Sequence, residues 1–236
     1  MPLLLYLDYP SDMKKLFYGL IASLALSAPV VGSELITKGW RTNDSLGCML
    51  LRECTDGVVK IKSIADVKAY YDGLFDYHSI GPEFNKILAH LDAIGVEVFL
   101  APEKYFPPMN RGVYHAKQNK FFLNDDYMTR EGALMATVRH EGWHVAQDCM
   151  AAGVENTFLA VIYDDHQIPY YYREMAERRY PPSARPWEQE AIWAGYTADV
   201  TEEALAACAS GTPMWETYEP TPMTREWLVN EGHIRE

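Results

Sequence analysis

The chain has 236 residues, 48% of them hydrophobic and 23% charged, a balance that makes a folded domain of ordinary size and argues against a disordered chain. The net charge of −12 argues against nucleic acid or an anionic membrane as partner, since both are bound by clustered Lys and Arg.

The N-terminal stretch reads as an export signal. Met13-Lys14-Lys15 opens a short basic region, Leu16 to Val31 is an apolar run, and Val31-Gly32-Ser33 supplies small residues before Glu34. This is the layout of a secretory signal peptide, and its apolar core is short for a membrane anchor. The twelve residues ahead of Met13 are unusual for such a signal, which points to Met13 as the true start. Residues 1–33 are therefore expected to be an extension plus signal peptide, and residues 34–236 one domain. The mature protein would be exported, periplasmic or extracellular, with no stable membrane span. The alternative is anchorage by an uncleaved N-terminal segment. Four cysteines remain after that segment, Cys48, Cys54, Cys149 and Cys208. An even number in an exported chain suggests two disulfides, with three pairings possible.

Residues 34–47 are polar. From Cys48 to Ile61 the pattern predicts a strand or hairpin turning at Thr55-Asp56-Gly57. Ser63 can cap a helix to about Leu74. A second helix fits Pro82 to Ile94, with Phe84, Ile87, Leu88, Leu91 and Ile94 on one face and Gly95 as its stop. Val96 to Ala101 reads as a strand. Gly112–Ala116, Lys117–Lys120 and Phe121–Asn124 read as strand, turn, strand. Asn124-Asp125-Asp126 reads as a turn and cap rather than a Ca²⁺ site, which needs more oxygen ligands. A long helix spans roughly Glu131 to Ala151, and Gly153 stops it. A packing helix is expected from Val154 to Tyr163, another helix at Tyr170 to Arg179, and a stiff loop through Pro181, Pro182 and Pro186. Glu188 and Glu190 then open a helix, Thr201 caps one more through Ser210, and the tail from Gly211 is aromatic enough to be an ordered wrap. The fold class is α+β, mostly helical, with a small antiparallel or mixed sheet.

The long helix carries His140-Glu141-Gly142-Trp143-His144. Residues four apart lie on one helix face, so the two imidazoles can meet one ion, and Glu141 can reach a water beside it. Residue frequencies give roughly 0.02 chance occurrences of H-E-x-x-H in a chain of this composition. Neutral imidazoles suit Zn²⁺, which lowers the pKa of a bound water for a neighbouring carboxylate to deprotonate.

In this motif the chain resembles the zincin metallopeptidases. The resemblance covers this helix and one later segment. It implies one Zn²⁺ ion, a peptide or protein substrate, and a strand along the substrate cleft just before the motif helix, to which a substrate could add. Two imidazoles require a third ligand. The metzincin pattern places a His where Met150 stands, and H-x-x-E-H is absent. The gluzincin pattern remains, with a carboxylate from a later helix. There Glu188 and Glu190 open a segment that continues Ala191, Ala194, Gly195, Ala198, small residues that permit close helix approach. By resemblance to the E-x-x-A pattern Glu188 is the ligand and Glu190 the alternative; the two point about 200° apart on a helix wheel. Thermolysin-like enzymes carry an Asp where Ile192 stands, so another residue must orient an imidazole, and Asp148 is the candidate. His166 and Tyr196 are candidate oxyanion donors. The reading is an exported zinc metallohydrolase, most simply a peptidase, with Glu141 as catalytic base. The rival is a zincin-fold protein that binds metal or a partner without catalysis, its cleft closed by its own chain, for instance by the aromatic tail.

Overall fold

A computed structural model describes residues 42–153 and 158–235. The expectations of a signal peptide, a start at Met13 and an N-terminal anchor fall outside these residues. No helix among the described residues is long and apolar enough to cross a membrane. Among the described residues two units are distinguished, residues 42–55 with 104–109, and residues 56–103 with 110–153 and 158–235.

The described part of the first unit includes helix α1 (Thr42–Leu50) and the loop closed by a disulfide between Cys48 and Cys54. Cys48 is thus helical, where a strand or hairpin was expected. The Cys48 carbonyl accepts from the backbone N–H groups of both Glu53 (2.9 Å) and Cys54 (3.2 Å). These groups are used within the loop and cannot enter a strand ladder. Only Val59–Ile61, in the second unit, is extended and paired.

The second unit is α+β. Its sheet has the order β1-β2-β4-β3, with β1 (Val59–Ile61), β2 (Glu97–Ala101), β3 (Gly112–His115) and β4 (Lys120–Asn124). β1 and β3 run antiparallel to their neighbours and β2 runs parallel to β4, so the sheet is mixed and β3 is an edge. The β3–β4 connection is a short 3-10 turn with Asn119 in the left-handed region (φ 51°), a conformation Asn tolerates. Asn124 Oδ1 accepts from Asp126 N–H at 3.2 Å, and Asp125 accepts from the Tyr70 hydroxyl and Glu103 N–H. The acidic run is therefore a bonded turn.

Helix α2 (Ile64–Tyr70) is short, and α3 (Gly81–Ala93) buries Phe84, Ile87, Leu88 and Leu91 and ends before Gly95 at φ 81°. Helix α4 (Glu131–Met150) is the centre of the unit. Fourteen of its residues, from Leu134 to Met150, are buried. A helix apolar on several faces must be enclosed, and α4 packs against β3, α3, α6 and α7. Arg139 is fixed to Glu83 of α3 by two hydrogen bonds of 2.7 and 2.5 Å.

Beyond α4 the segment Phe158–Tyr163 is not helical, against expectation. Its backbone groups are taken by other elements: Ala160 N–H donates to Gln147 O, Val161 N–H to Thr224 Oγ1, and Tyr163 N–H to Glu190 Oε1. Helix α5 (Tyr170–Arg179) follows, then α6 (Arg185–Tyr196), with Pro186 in its first turn, where Pro needs no N–H partner. In α7 (Val200–Ala209) the residue before the helix is Asp199, and Thr201 is inside it. The Thr201 hydroxyl donates to Arg139 O at 3.0 Å instead of capping. Cys149 and Cys208 form a disulfide that joins α4 to α7. Two disulfides are the mark of an oxidising compartment. The tail is ordered, ending in α8 (Pro222–Asn230), and Trp227 Nε1 donates to Ala151 O at the end of α4.

Candidate metal centre

Helix periodicity places His140 and His144 one turn apart on the same face of α4, their rings 4.9 Å apart and perpendicular. Glu188, in the first turn of α6, faces them. Glu188 Oε2 lies 3.5 Å from His140 Nε2 and 3.8 Å from His144 Nε2. One ligand atom from each of the three residues falls within 4.8 Å of the others. Those separations are long for hydrogen bonds. They suit a common ion: bonds near 2.1 Å in a tetrahedron keep ligands roughly 3.4 Å apart. Glu188 Oε2 is buried and has no hydrogen-bond partner among the described residues, a costly state for a carboxylate oxygen unless a cation meets it. The residues present therefore fit a metal ion. Helix approach makes this possible. A Cβ on Gly195 would stand 2.9 Å from Ala136 O and 3.3 Å from His140 Cβ, so α6 can lie this close to α4 only because Gly195 lacks one.

The charges around this group are compatible with a bound cation. Burial raises the Glu188 carboxyl, but the two imidazoles and the Tyr180 hydroxyl outweigh it and keep the group ionised below its ordinary range. Burial lowers His140, and the carboxylates of Glu188 and Glu141 more than reverse this. Protons would therefore compete with a bound metal for His140 as pH falls.

Glu141 sits at the same face but outside the three-residue group. Its Oε2 accepts from the Tyr114 N–H of edge strand β3 at 2.9 Å, and its Oε1 has no hydrogen bond among the described residues. Burial raises the Glu141 carboxyl above its ordinary range. Strand β3 comes this close because Gly112 has no side chain: a Cβ there would be 2.8 Å from Thr137 Cγ2 and 3.0 Å from Glu141 Cγ.

The other sequence candidates lie elsewhere. Glu190 is fully buried behind Glu188 and held by Trp143, Gln147 and Tyr163; burial pushes its carboxyl up to about 7. Asp148 accepts from the Tyr114 hydroxyl at 2.8 Å and bonds to neither imidazole; burial pushes it up to about 8. His166 lines a separate cavity of about 270 Å³ with Tyr163 and Tyr218. Tyr196 is 55% exposed at the end of α6 and stacks on Tyr172.

Three residues at the site were not singled out from the sequence. Gln147 accepts from the ring of His144, Tyr114 holds both Glu141 and Asp148, and the Tyr180 hydroxyl lies against the Glu188 carboxylate. Gln147 was accessible in principle, being three residues after His144 on the same helix face. Nothing local marks Tyr180. Comparison with protein-family models, curated proteins and solved structures finds no match for the chain, so this site is read from its own geometry.

Proposed function

We propose that the protein is an exported zinc metallohydrolase, a peptidase of gluzincin-like type, with His140, His144 and Glu188 as ligands and Glu141 as general base. The observation that carries the reading is the buried, unbonded Glu188 Oε2 aimed between two imidazoles of an H-E-x-x-H helix. Zinc suits two imidazoles and one carboxylate, and when bound it would supply a water of lowered pKa and a Lewis acid for the scissile carbonyl. Glu141 takes the proton of the attacking water on Oε1 while Tyr114 N–H fixes Oε2. It then passes that proton to the leaving amine nitrogen. Water and an amide become a carboxylic acid and an amine. The Tyr180 hydroxyl, beside Glu188, is the best-placed donor for the developing oxyanion, ahead of His166 and Tyr196. A peptide would lie along edge strand β3, through backbone groups other than the Tyr114 N–H, which Glu141 holds.

The test is metal analysis of purified protein followed by digestion of a peptide library, with and without chelator, for wild type and Glu141→Gln. Expected are one zinc per chain in both proteins and cleavage in wild type alone. Full activity in the variant would refute the mechanism. Zinc without cleavage in either protein would favour the rival, a metal-binding protein without catalysis.

A further inference from the structure

Gln147 and Glu190 stand behind His144, away from the three-residue group, and both are fully buried. His144 Nδ1 lies 2.8 Å from Gln147 Oε1. Gln147 Nε2 donates to Glu190 Oε2 at 2.6 Å and to the Trp187 carbonyl at 3.1 Å. Glu190 is itself anchored: Oε2 also accepts from Trp143 Nε1 at 3.1 Å and Oε1 from Tyr163 N–H at 2.5 Å.

The chemistry of these partners fixes a direction. A backbone carbonyl can only accept, so the Trp187 carbonyl demands the nitrogen end of the Gln147 amide. The second N–H of that nitrogen meets the Glu190 carboxylate. With both donors used on that side, the amide cannot flip, and its oxygen must face His144. An amide oxygen cannot donate, so the hydrogen of neutral His144 must sit on Nδ1. Its Nε2 then turns a lone pair toward Glu188 and His140, the state a metal needs.

We infer that Gln147, oriented by Glu190 and the Trp187 carbonyl, is a positioning residue that locks His144 in its metal-binding tautomer. This inference rests on the metal-site reading above. Glu190 is thereby assigned to the support of a ligand, not to the ion, although it was the alternative third ligand. The support comes from the adjacent helix through an amide, in a chain where the residue four after Glu188 is Ile192 and can orient nothing.

Two measurements test it. In the apoprotein at mildly alkaline pH, the imidazole ¹⁵N shifts of His144 should show the hydrogen on Nδ1; a hydrogen on Nε2 overturns the inference whatever the metal does. Zinc affinity is then measured by chelator competition for wild type, Gln147→Leu and Glu190→Gln. Gln147→Leu should lose roughly 10–100-fold in affinity and shift the apoprotein tautomer toward Nε2–H. Glu190→Gln should lose less, because the Trp187 carbonyl still orients the amide. Affinity of Gln147→Leu within twofold of wild type, with the tautomer unchanged, also overturns it. If wild type binds no zinc, the metal-site reading fails, and the tautomer measurement alone decides whether the positioning holds.

Discussion

Gly195→Ala should weaken metal binding although Gly195 touches no ligand oxygen or nitrogen. In an unconstrained helix the change would stabilise by up to about 1 kcal/mol, because Gly is the poorer helix former. Here the new Cβ would lie 2.9 Å from the Ala136 carbonyl oxygen and 3.3 Å from His140 Cβ. A backbone oxygen in a packed helix cannot swing aside, so α6 must retreat from α4 by about half an ångström to restore ordinary contact. Overpacking of this kind costs about 1–3 kcal/mol, so the net change in folding stability is small, roughly 0–2 kcal/mol. The proposed metal site would be less forgiving. Glu188 lies two turns earlier on the same face of α6, and metal–ligand distances tolerate only about 0.2 Å. Zinc affinity should therefore fall at least about tenfold, or 1.4 kcal/mol, while the melting temperature of the metal-free protein moves by a few degrees. Competition against a chromophoric chelator measures the first and calorimetry the second. Gly132→Ala is the control, since nothing lies within 4 Å of a Cβ there, and it should leave affinity unchanged. Wild-type affinity in Gly195→Ala would refute the claim that helix approach sets the site.

Three further changes separate the roles of neighbouring groups. Tyr180→Phe should reduce kcat/KM on a cleaved peptide by about 10²-fold, as loss of an oxyanion donor does, with a much smaller loss of zinc affinity; equal losses would make Tyr180 a support for Glu188 alone. Asp148→Asn tests the buried carboxyl raised to about 8. Folded Asp148 keeps a proton that the unfolded chain releases near pH 3.9, so its contribution to stability is full below about pH 4 and is lost as pH rises to about 8. In urea titrations the wild type should lose a few kcal/mol relative to Asp148→Asn between about pH 5 and pH 8. A constant difference across that range would refute the assignment. Replacing both Cys149 and Cys208 by Ser opens a loop of sequence separation 59 and should cost about 4 kcal/mol in the chain-entropy account, measured by denaturant titration under oxidising conditions.

Elements with their own local chemistry were legible in the sequence. The Pro82–Ile94 helix has a stripe of apolar residues and a glycine stop, and it forms over Gly81–Ala93. The strand–turn–strand at residues 112–124 and the long motif helix also form close to their expected bounds. Expectations failed where distant partners decide backbone conformation. Phe158–Tyr163 is apolar enough for a helix, yet its N–H groups go to α4, α6 and α8. Thr201 looks like a cap, but its hydroxyl is drawn to Arg139 O across a helix interface. In the site, the spacing of His140 and His144 was readable because one helix carries both. Gln147, Tyr114 and Tyr180 needed the third dimension, since each bond they make depends on how elements pack.

The proposed hydrolase and its rival, a closed metal site, differ in what covers the imidazole pair. A site sealed by the tail requires the tail to lie over the imidazole pair. Instead Trp227 bonds to the Ala151 carbonyl, seven residues beyond His144, and stacks on Phe158 with ring centres 4.3 Å apart. Thr221 and Thr224 hold the start of α8 to Val161. Trp227 and the start of α8 are thus held at the far end of α4, while Tyr218 packs on Tyr163, which stacks on Trp143. Solvent reaches the group from the other end, where the His140 side chain keeps 19% of its surface exposed against 5% for His144. Under the proposed reading, solvent and substrate would approach the three residues from the His140 side. Protection of His140 and His144 from carbethoxylation measures it: in the apoprotein His140 should react first, and equal protection of both would favour a closed site.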